Sequence, residues 1–190
     1  MHESGAGLVY LMGPSGAGKD SVLHYARRRL DGNEPIVFAH RYITRPVGED
    51  IENYIALSPG EFALRRRRGL FAFDWEAYGW RYGIGAEIHA WRAAGLVVVI
   101  DGSRAHFSTC ADVLGDATPV LITASAEELR RRLTARARED AQAVEERLTR
   151  AAAFMPTHPS LVTIDNSGPL EHAGEALVAL LIEQARKPSR

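Results

Sequence analysis

Short apolar runs alternate with segments of helical periodicity along much of the chain. The runs lie at 8–12, 36–38, 96–100, 119–123 and 161–164. Between most of them, apolar residues recur at helical spacing, as they do from Val22 to Leu30. Uninterrupted apolar strands that alternate with helices are typical of an α/β protein whose parallel sheet is covered by helices on both faces. A ligand is then expected at the carboxyl ends of the strands.

Local signals place several helix ends. The first helix should end near residues 31–33, where Asp-Gly-Asn favours termination. Ser58 and Ser125 each stand three residues before a glutamate, which is the spacing of a capping box. Residues 168–187 are predicted to form the closing helix, with Pro169 in its first turn.

Residues 40–95 depart from this alternation because they are rich in glycine and aromatic residues. We interpret them as a lobe inserted into a single domain, whose core would be 1–39 and 96–190. A chain of 190 residues suits one such domain. The four arginines at 65–68 are most simply a solvated helix face.

The segment GPSGAGKDS at 13–21 follows the first strand and opens the first helix. It satisfies the pattern G-x-x-x-x-G-K of a phosphate-binding loop, whose backbone N–H groups form an anion nest. Lys19 would reach the β- and γ-phosphates, and it is one of two lysines in a chain with 21 arginines. The residues predicted to form the loop are Gly13, Pro14, Ser15, Gly16, Ala17 and Gly18.

Asp20 occupies the position at which this loop normally has a serine or threonine that meets Mg²⁺. A carboxylate is also a hard oxygen ligand, so Asp20 can take that role, and Ser21 would offer its hydroxyl to the α-phosphate. The alternative is a carboxylate that only caps the helix. Without the metal Asp20 would repel the nucleotide, and we therefore predict a nucleotide affinity that depends unusually strongly on Mg²⁺.

Composition narrows the class of partner. A net charge of −1 and a pI near 6.7 provide no global field that draws the chain to nucleic acid or to a membrane. Cys110 is the only cysteine, and the sequence contains neither a signal peptide nor an apolar run of about 18 residues. We therefore expect a cytoplasmic protein that binds small molecules. The patterns specify no oligomeric state.

Several motifs together resemble the guanylate kinase family across nearly the whole chain. They are GPSGAGK, RYITRPVGED, NYIAL, GWRYGIG, VVVIDGSRA and LTARARED…EERLTRA. The resemblance implies a P-loop fold of the nucleoside-monophosphate-kinase type, with an acceptor-binding lobe at about 40–95 and a lid at about 134–148. It also implies ATP and Mg²⁺ as cofactors.

The same resemblance assigns roles to individual residues. Positions that hold the acceptor's phosphate are matched by Arg45, Tyr54 and Tyr82, and Asp101 matches an aspartate near the acceptor and the metal. Residues matched on the donor side are the lid arginines Arg136 and Arg147, with Arg138 as a third candidate, and Asn166 near the donor adenine. With Asp20 from the loop motif, Asp101 completes the predicted metal ligands, and the predicted catalytic group is Lys19, Arg136, Arg147 and Asp101.

Three positions that read guanine in that family hold Arg41, Phe73 and Ile84 here, so the hydrogen-bonding groups for a base are lost. The family's second phosphate arginine is also missing, because RPVGE is shorter. With GKDS, HRYITR, ENYIALS, YGIGAEI and DGSRAH, the chain more closely resembles the ribose 1,5-bisphosphate phosphokinases of phosphonate degradation. This resemblance implies ATP-dependent phosphorylation of the 1-phosphate, which yields 5-phosphoribosyl 1-diphosphate and ADP.

An acceptor with two phosphates and no base suits a cation-rich lobe. Arg41 and Arg45 are predicted phosphate clamps, and Arg104 and His106 add polar groups after Asp101. Two alternatives remain, a guanylate or other nucleoside monophosphate kinase and a guanylate-kinase-like binding module without catalysis. The presence of the loop lysine and of two lid arginines argues against the second alternative.

Overall fold

The computed structural model of the chain describes residues 6–30, 32, 34–46, 53–135, 145, 148–149 and 155–187. In chain order the elements are β1 (Leu8–Met12), α1 (Lys19–Leu30), β2 (Ile36–Phe38), β3 (Arg41–Ile43), β4 (Tyr54–Ala56), α2 (Pro59–Arg67), β5 (Phe71–Ala77), β6 (Trp80–Gly85), α3 (Glu87–Ala93), β7 (Val97–Asp101), α4 (Arg104–Leu114), β8 (Thr118–Thr123), α5 (Ala126–Ala135), β9 (Val162–Asp165) and α6 (Leu170–Arg186).

Five strands form a parallel sheet in the order β2, β7, β1, β8, β9. The central strands β1 and β7 are buried along their whole length, which confirms the prediction of a sheet covered on both faces. Val9 and Leu11 pack in a cluster with residues of α1, α5 and α6. Leu8, Tyr10 and Met12 point to the other face and pack with residues of α3 and α4. The period-two alternation of a strand thus divides the core into two halves.

A second, four-stranded sheet has the order β4, β3, β6, β5. Strand β3 runs parallel to β4 and antiparallel to β6, and β5 and β6 form a hairpin. Two residues with positive φ, Tyr78 (52°) and Gly79 (76°), form the tip of the hairpin, as a type I′ turn requires. The aromatic-rich segment of the sequence therefore builds a sheet of its own beside the parallel one.

Both serines cap their helices at the predicted positions, but the Ser125 amide donates to Ser167 Oγ at 2.8 Å, so the second box lacks its return bond to Glu128. The Ser58 hydroxyl accepts a hydrogen bond from the Glu61 amide at 3.1 Å, and the Ser125 hydroxyl accepts one from the Glu128 amide at 3.1 Å. Pro169 stands at the N-cap of α6, immediately before the first turn. Within the described ranges, no helix is both long and apolar enough to cross a membrane.

Candidate active site

The glycine-rich loop lies between the end of β1 and the start of α1, at the carboxyl edge of the parallel sheet. Strand β1 ends at Met12 and α1 begins at Lys19, so residues 13–18 form the whole connection between them. Gly18 adopts a φ of +79°, and the Ala17 amide donates to the Pro14 carbonyl at 3.1 Å. The loop therefore stands where the positive end of the α1 dipole favours an anion.

Four charged side chains meet beside this loop. Lys19 Nζ lies 2.8 Å from Asp20 Oδ1 and 2.5 Å from Asp101 Oδ1. Arg41 Nη2 lies 3.0 Å from Asp101 Oδ2 and 3.9 Å from Asp20 Oδ1. Burial alone would lower the pKa of Lys19, but the carboxylates of Asp101 and Asp20 outweigh it and raise that pKa above its ordinary value. The lysine is therefore a fixed positive charge.

Three different elements bring these side chains together. Lys19 and Asp20 open α1, Asp101 ends β7, and Arg41 begins β3 of the smaller sheet. Asp101 consequently touches the phosphate-loop lysine with one oxygen and a residue of the lobe with the other. The ion pair between Asp101 and Arg41 therefore links the two sheets at this point.

The two carboxylates have the chemistry of metal ligands. Asp20 and Asp101 both contact the single Lys19 ammonium, so their oxygens face one common cation. Carboxylate oxygens are the hard ligands that Mg²⁺ prefers, and Mg²⁺ commonly takes one or two of them in addition to phosphate oxygens. The residues present fit that ion.

A cleft extends from this cluster along the boundary between the two sheets. The β5–β6 hairpin and the start of α4 bound it on the side of the smaller sheet. The residues that line it are Gly13, Pro14, Ser15, Gly16, Gly18, Lys19, Asp20, Ser21, Arg41, Arg45, Trp75, Ala77, Tyr78, Trp80, Tyr82, Gly102, Ser103, Arg104 and Ala105. The predicted donor loop and most of the predicted acceptor residues therefore face one space.

The acceptor-side residues lie at different depths. Arg45 places its guanidinium carbon 5.2 Å from the centre of the Tyr54 ring, a cation–π contact, and the Tyr54 hydroxyl donates to the Pro46 carbonyl at 3.0 Å. Tyr82 is mostly buried and stacks on Trp75 at 5.5 Å. Arg45 and Tyr82 line the cleft, while Tyr54 supports Arg45.

His106 lies in the first turn of α4, behind the cleft lining. Its Nδ1 is 3.1 Å from the Tyr10 hydroxyl, and its ring stacks on Trp75 at 4.9 Å. The Tyr10 hydroxyl also donates to the Ser103 carbonyl at 3.0 Å. Desolvation by burial lowers the pKa of His106 below its ordinary value, which favours the neutral imidazole.

The predicted donor-side residues, Asn166 and the lid arginines, remain to be placed. Asn166 follows β9 and is 2% exposed, with its side-chain amide directed at the Ala17 carbonyl behind the loop. Arg136, Arg138 and Arg147, and with them most of the predicted lid at 134–148, lie outside the described residues.

Sequence reasoning missed two residues that contact this site. Tyr10 sits within an apolar strand and is buried, so its hydroxyl gave no signal in the pattern. Arg132 donates to the Ala17 carbonyl at 3.1 Å, but it lies in a run of three arginines and nothing in the sequence separates it from its neighbours.

Known proteins resemble this chain over most of its length. The family described as the AAA domain matches residues 9–151. Ribose 1,5-bisphosphate phosphokinase PhnN of Desulfomicrobium baculatum is 52% identical over 176 residues, which cover 93% of this chain and 94% of that protein. The protein of the same name from Burkholderia pseudomallei is 49% identical over 181 residues, 94% of this chain and 97% of that one.

The fold has a counterpart among solved structures. The crystal structure of guanylate kinase from Anaplasma phagocytophilum superposes with a TM-score of 0.69 and covers 98% of this chain and 90% of that chain. Sequence identity is 16%, so this likeness concerns the fold alone. It confirms the predicted guanylate-kinase-like fold.

Proposed function

Because the chain belongs to the family of ribose 1,5-bisphosphate phosphokinases, we propose that it transfers the γ-phosphoryl group of ATP to the 1-phosphate of ribose 1,5-bisphosphate. The products are 5-phospho-α-D-ribose 1-diphosphate and ADP. The cleft between the phosphate loop and the lobe is the proposed place of reaction. A cytoplasmic location, where ATP is abundant, belongs to the same proposal.

Three paired residues of the smaller sheet support an acceptor that has no base. In the register of the smaller sheet, Ile84 of β6 pairs with Arg41 of β3 on one side and with Phe73 of β5 on the other. These three positions, which the resemblance to guanylate kinases relates to guanine reading, are thus neighbours in space. Ile84 is fully buried, and neither Ile84 nor Phe73 has a side-chain group that can hydrogen-bond a base. This row of residues is therefore better matched to an acceptor without a base than to guanine.

Cations of the cleft suit the two phosphates of the acceptor. Arg41, Arg45 and Arg104 line it, and a planar guanidinium can bind a phosphate through two parallel hydrogen bonds. Tyr82 supplies a hydroxyl on the same wall. On the donor side, the loop amides and Lys19 would hold the triphosphate, with Ser21 directed to the α-phosphate.

Phosphoryl transfer needs alignment and charge neutralisation rather than a catalytic base, because a phosphate oxygen is already an anionic nucleophile at neutral pH. Lys19 would leave its carboxylate partners for the phosphates, and Arg136 and Arg147 would close over the transferred group. An arginine in such a role contributes roughly 10³–10⁵ in rate. Mg²⁺, held by Asp20 and Asp101, would supply the neutralisation of charge on the donor phosphates.

Product analysis tests this proposal. The protein with ATP and Mg²⁺ is offered ribose 1,5-bisphosphate, ribose 5-phosphate and GMP in parallel, and ADP and the phosphorylated products are quantified. We expect turnover of ribose 1,5-bisphosphate only, and its loss in a Lys19→Ala variant. Turnover of GMP without turnover of the ribose bisphosphate would instead establish a nucleoside monophosphate kinase, and nucleotide binding without any turnover would favour a binding module.

A further inference from the structure

The carbonyl of Ala17 faces away from the cleft, toward the body of the protein. An anion nest directs backbone N–H groups toward the phosphate, which leaves carbonyl groups on the outer side. Ala17 is fully buried, so its carbonyl needs a partner within the protein. It has two, since Asn166 Nδ2 donates to it at 2.7 Å and Arg132 Nη1 at 3.1 Å.

Arg132 is itself held at three points. Its Nε donates to Glu128 Oε1 at 2.6 Å, its Nη1 to the Ala17 carbonyl, and its Nη2 to the Asn166 carbonyl at 2.7 Å. The guanidinium is planar, so three contacts through three nitrogens fix its position and its orientation.

Glu128 anchors the guanidinium of Arg132 through its carboxylate. Hydrogen bonds from Arg131, and then from Arg132, lower the pKa of Glu128 to about 2. The carboxylate therefore remains charged throughout the physiological pH range. The Glu128 amide is also tied to the Ser125 cap, so the anchor belongs to the first turn of α5.

The loop fits closely against these groups. A Cβ placed on Gly18 would lie 2.5 Å from Asn166 Nδ2 and 3.1 Å from Arg132 Nη1. A Cβ on Gly16 would lie 3.3 Å from Cγ of Leu133 on the same helix. The segment after β9 and the helix α5 thus contact the loop from behind, on the side opposite to the phosphates.

We propose that Asn166 and Arg132 are positioning residues that hold the Ala17 carbonyl outward and thereby keep the loop amides in the geometry that binds phosphate. This inference rests on the proposed nucleotide site and gives Asn166 a role at the loop rather than at the adenine.

Binding of two probes tests the proposal, ADP with Mg²⁺ and the base-free inorganic pyrophosphate. Asn166→Ala and Arg132→Ala should each weaken both probes roughly tenfold, the effect of losing one buried hydrogen bond. The double variant should lose more than the sum of the two free-energy changes, because it leaves the carbonyl without either donor. The KM for the acceptor should stay within about twofold of the wild-type value, whereas a general loss of structure would change both substrates.

Arg131→Ala is the matched control. Arg131 bonds the same Glu128 at 2.6 and 2.7 Å, but its side chain is 69% exposed and its hydrogen bonds run to Glu128 rather than to the loop. We expect wild-type affinity for both probes in this variant. If Asn166→Ala does not fold, Arg132→Ala alone carries the test.

Two results would overturn the proposal. The first is unchanged binding of both probes in the Asn166 and Arg132 variants. The second is weaker ADP binding with unchanged pyrophosphate binding, which would instead assign these residues to the base. Neither probe involves the acceptor, so an acceptor other than ribose 1,5-bisphosphate would refute the proposed function and leave the role of Asn166 and Arg132 intact.

Discussion

Asp20 contacts Lys19 at 2.8 Å, so in the free protein the carboxylate neutralises the charge that the nucleotide would need. Asp101, at the end of the neighbouring parallel strand β7, contacts the same ammonium. Nucleotide binding must therefore draw Lys19 away from two carboxylates, which are left to repel the phosphates unless a cation replaces the ammonium. The dependence on Mg²⁺ that the sequence predicts follows from this competition.

Asp20→Ser tests that dependence. Removal of one carboxylate should strengthen ADP binding in the absence of Mg²⁺ by about 1 kcal/mol, roughly fivefold in Kd, because Asp20 is partly exposed and its charge is screened. The enhancement produced by Mg²⁺ should shrink. Equilibrium binding of ADP in EDTA and in excess Mg²⁺ measures both quantities.

The control is Asp116→Ser, which removes an exposed carboxylate that pairs with Arg92 instead. It should leave ADP binding as in the wild-type protein. An Asp20→Ser variant with unchanged affinity and unchanged Mg²⁺ dependence would indicate that this carboxylate only caps α1.

At the scale of elements, the turn after β7 begins directly beside Asp101, the last residue of that strand. The Tyr10 hydroxyl accepts a hydrogen bond from the Ser103 amide at 3.1 Å and donates one to the Ser103 carbonyl, so a side chain of β1 holds the turn that follows β7. The Tyr10 ring lies directly against Gly102. This close approach explains the glycine in the DGSRAH segment.

Gly102→Ala should therefore disturb the turn. The added Cβ would lie 2.1 Å from Cζ of the buried Tyr10 ring, so either the ring or the turn must move. We expect a loss of about 1–3 kcal/mol in the free energy of unfolding, typical of overpacking, and a lower kcat because Asp101 is adjacent. Denaturant unfolding and steady-state kinetics measure these changes.

Gly168→Ala serves for comparison, since no atom lies within 4 Å of the position that its Cβ would occupy. It should unfold and turn over as the wild-type protein does. Equal behaviour of the two alanine variants would show that Tyr10 and the turn accommodate the methyl group, and that this contact does not position Asp101.

At the scale of the whole molecule, an aromatic stack joins the core to the lobe. Tyr82 and Trp75 of the hairpin stack at 5.5 Å, and Trp75 stacks on His106 of α4 at 4.9 Å. Phe73 meets the same imidazole edge-on at 6.2 Å. His106 of α4 thus supports the aromatic residues on one wall of the cleft.

His106→Phe and His106→Ala separate this packing role from direct contact with the acceptor. Phenylalanine keeps an aromatic ring on Trp75, so the acceptor KM should remain near the wild-type value, whereas alanine should raise it severalfold while the ATP KM stays constant. Steady-state kinetics with each substrate varied gives both constants. A similar rise in acceptor KM for the two variants would show that the imidazole itself binds the acceptor, as the sequence predicts.

The sequence alone was sufficient for the parts that depend on local order. Apolar runs specified the parallel strands, serine-to-glutamate spacing specified two helix starts, and the glycine pattern located the phosphate loop, because each signal lies within a few consecutive residues. The motif resemblance also indicated the family and the fold correctly. Strand β7 differs by one residue from the predicted 96–100, which makes Asp101 its last residue.

Tertiary structure decided what no single segment contains. The sharing of Asp101 between Lys19 and Arg41, the row formed by Arg41, Ile84 and Phe73, and the approach of Arg132 to Ala17 all join residues distant in the chain. Arg132 shows the reason most clearly. It stands among identical neighbours in the sequence, and only the packing of α5 against the loop gives this one arginine a carbonyl to hold.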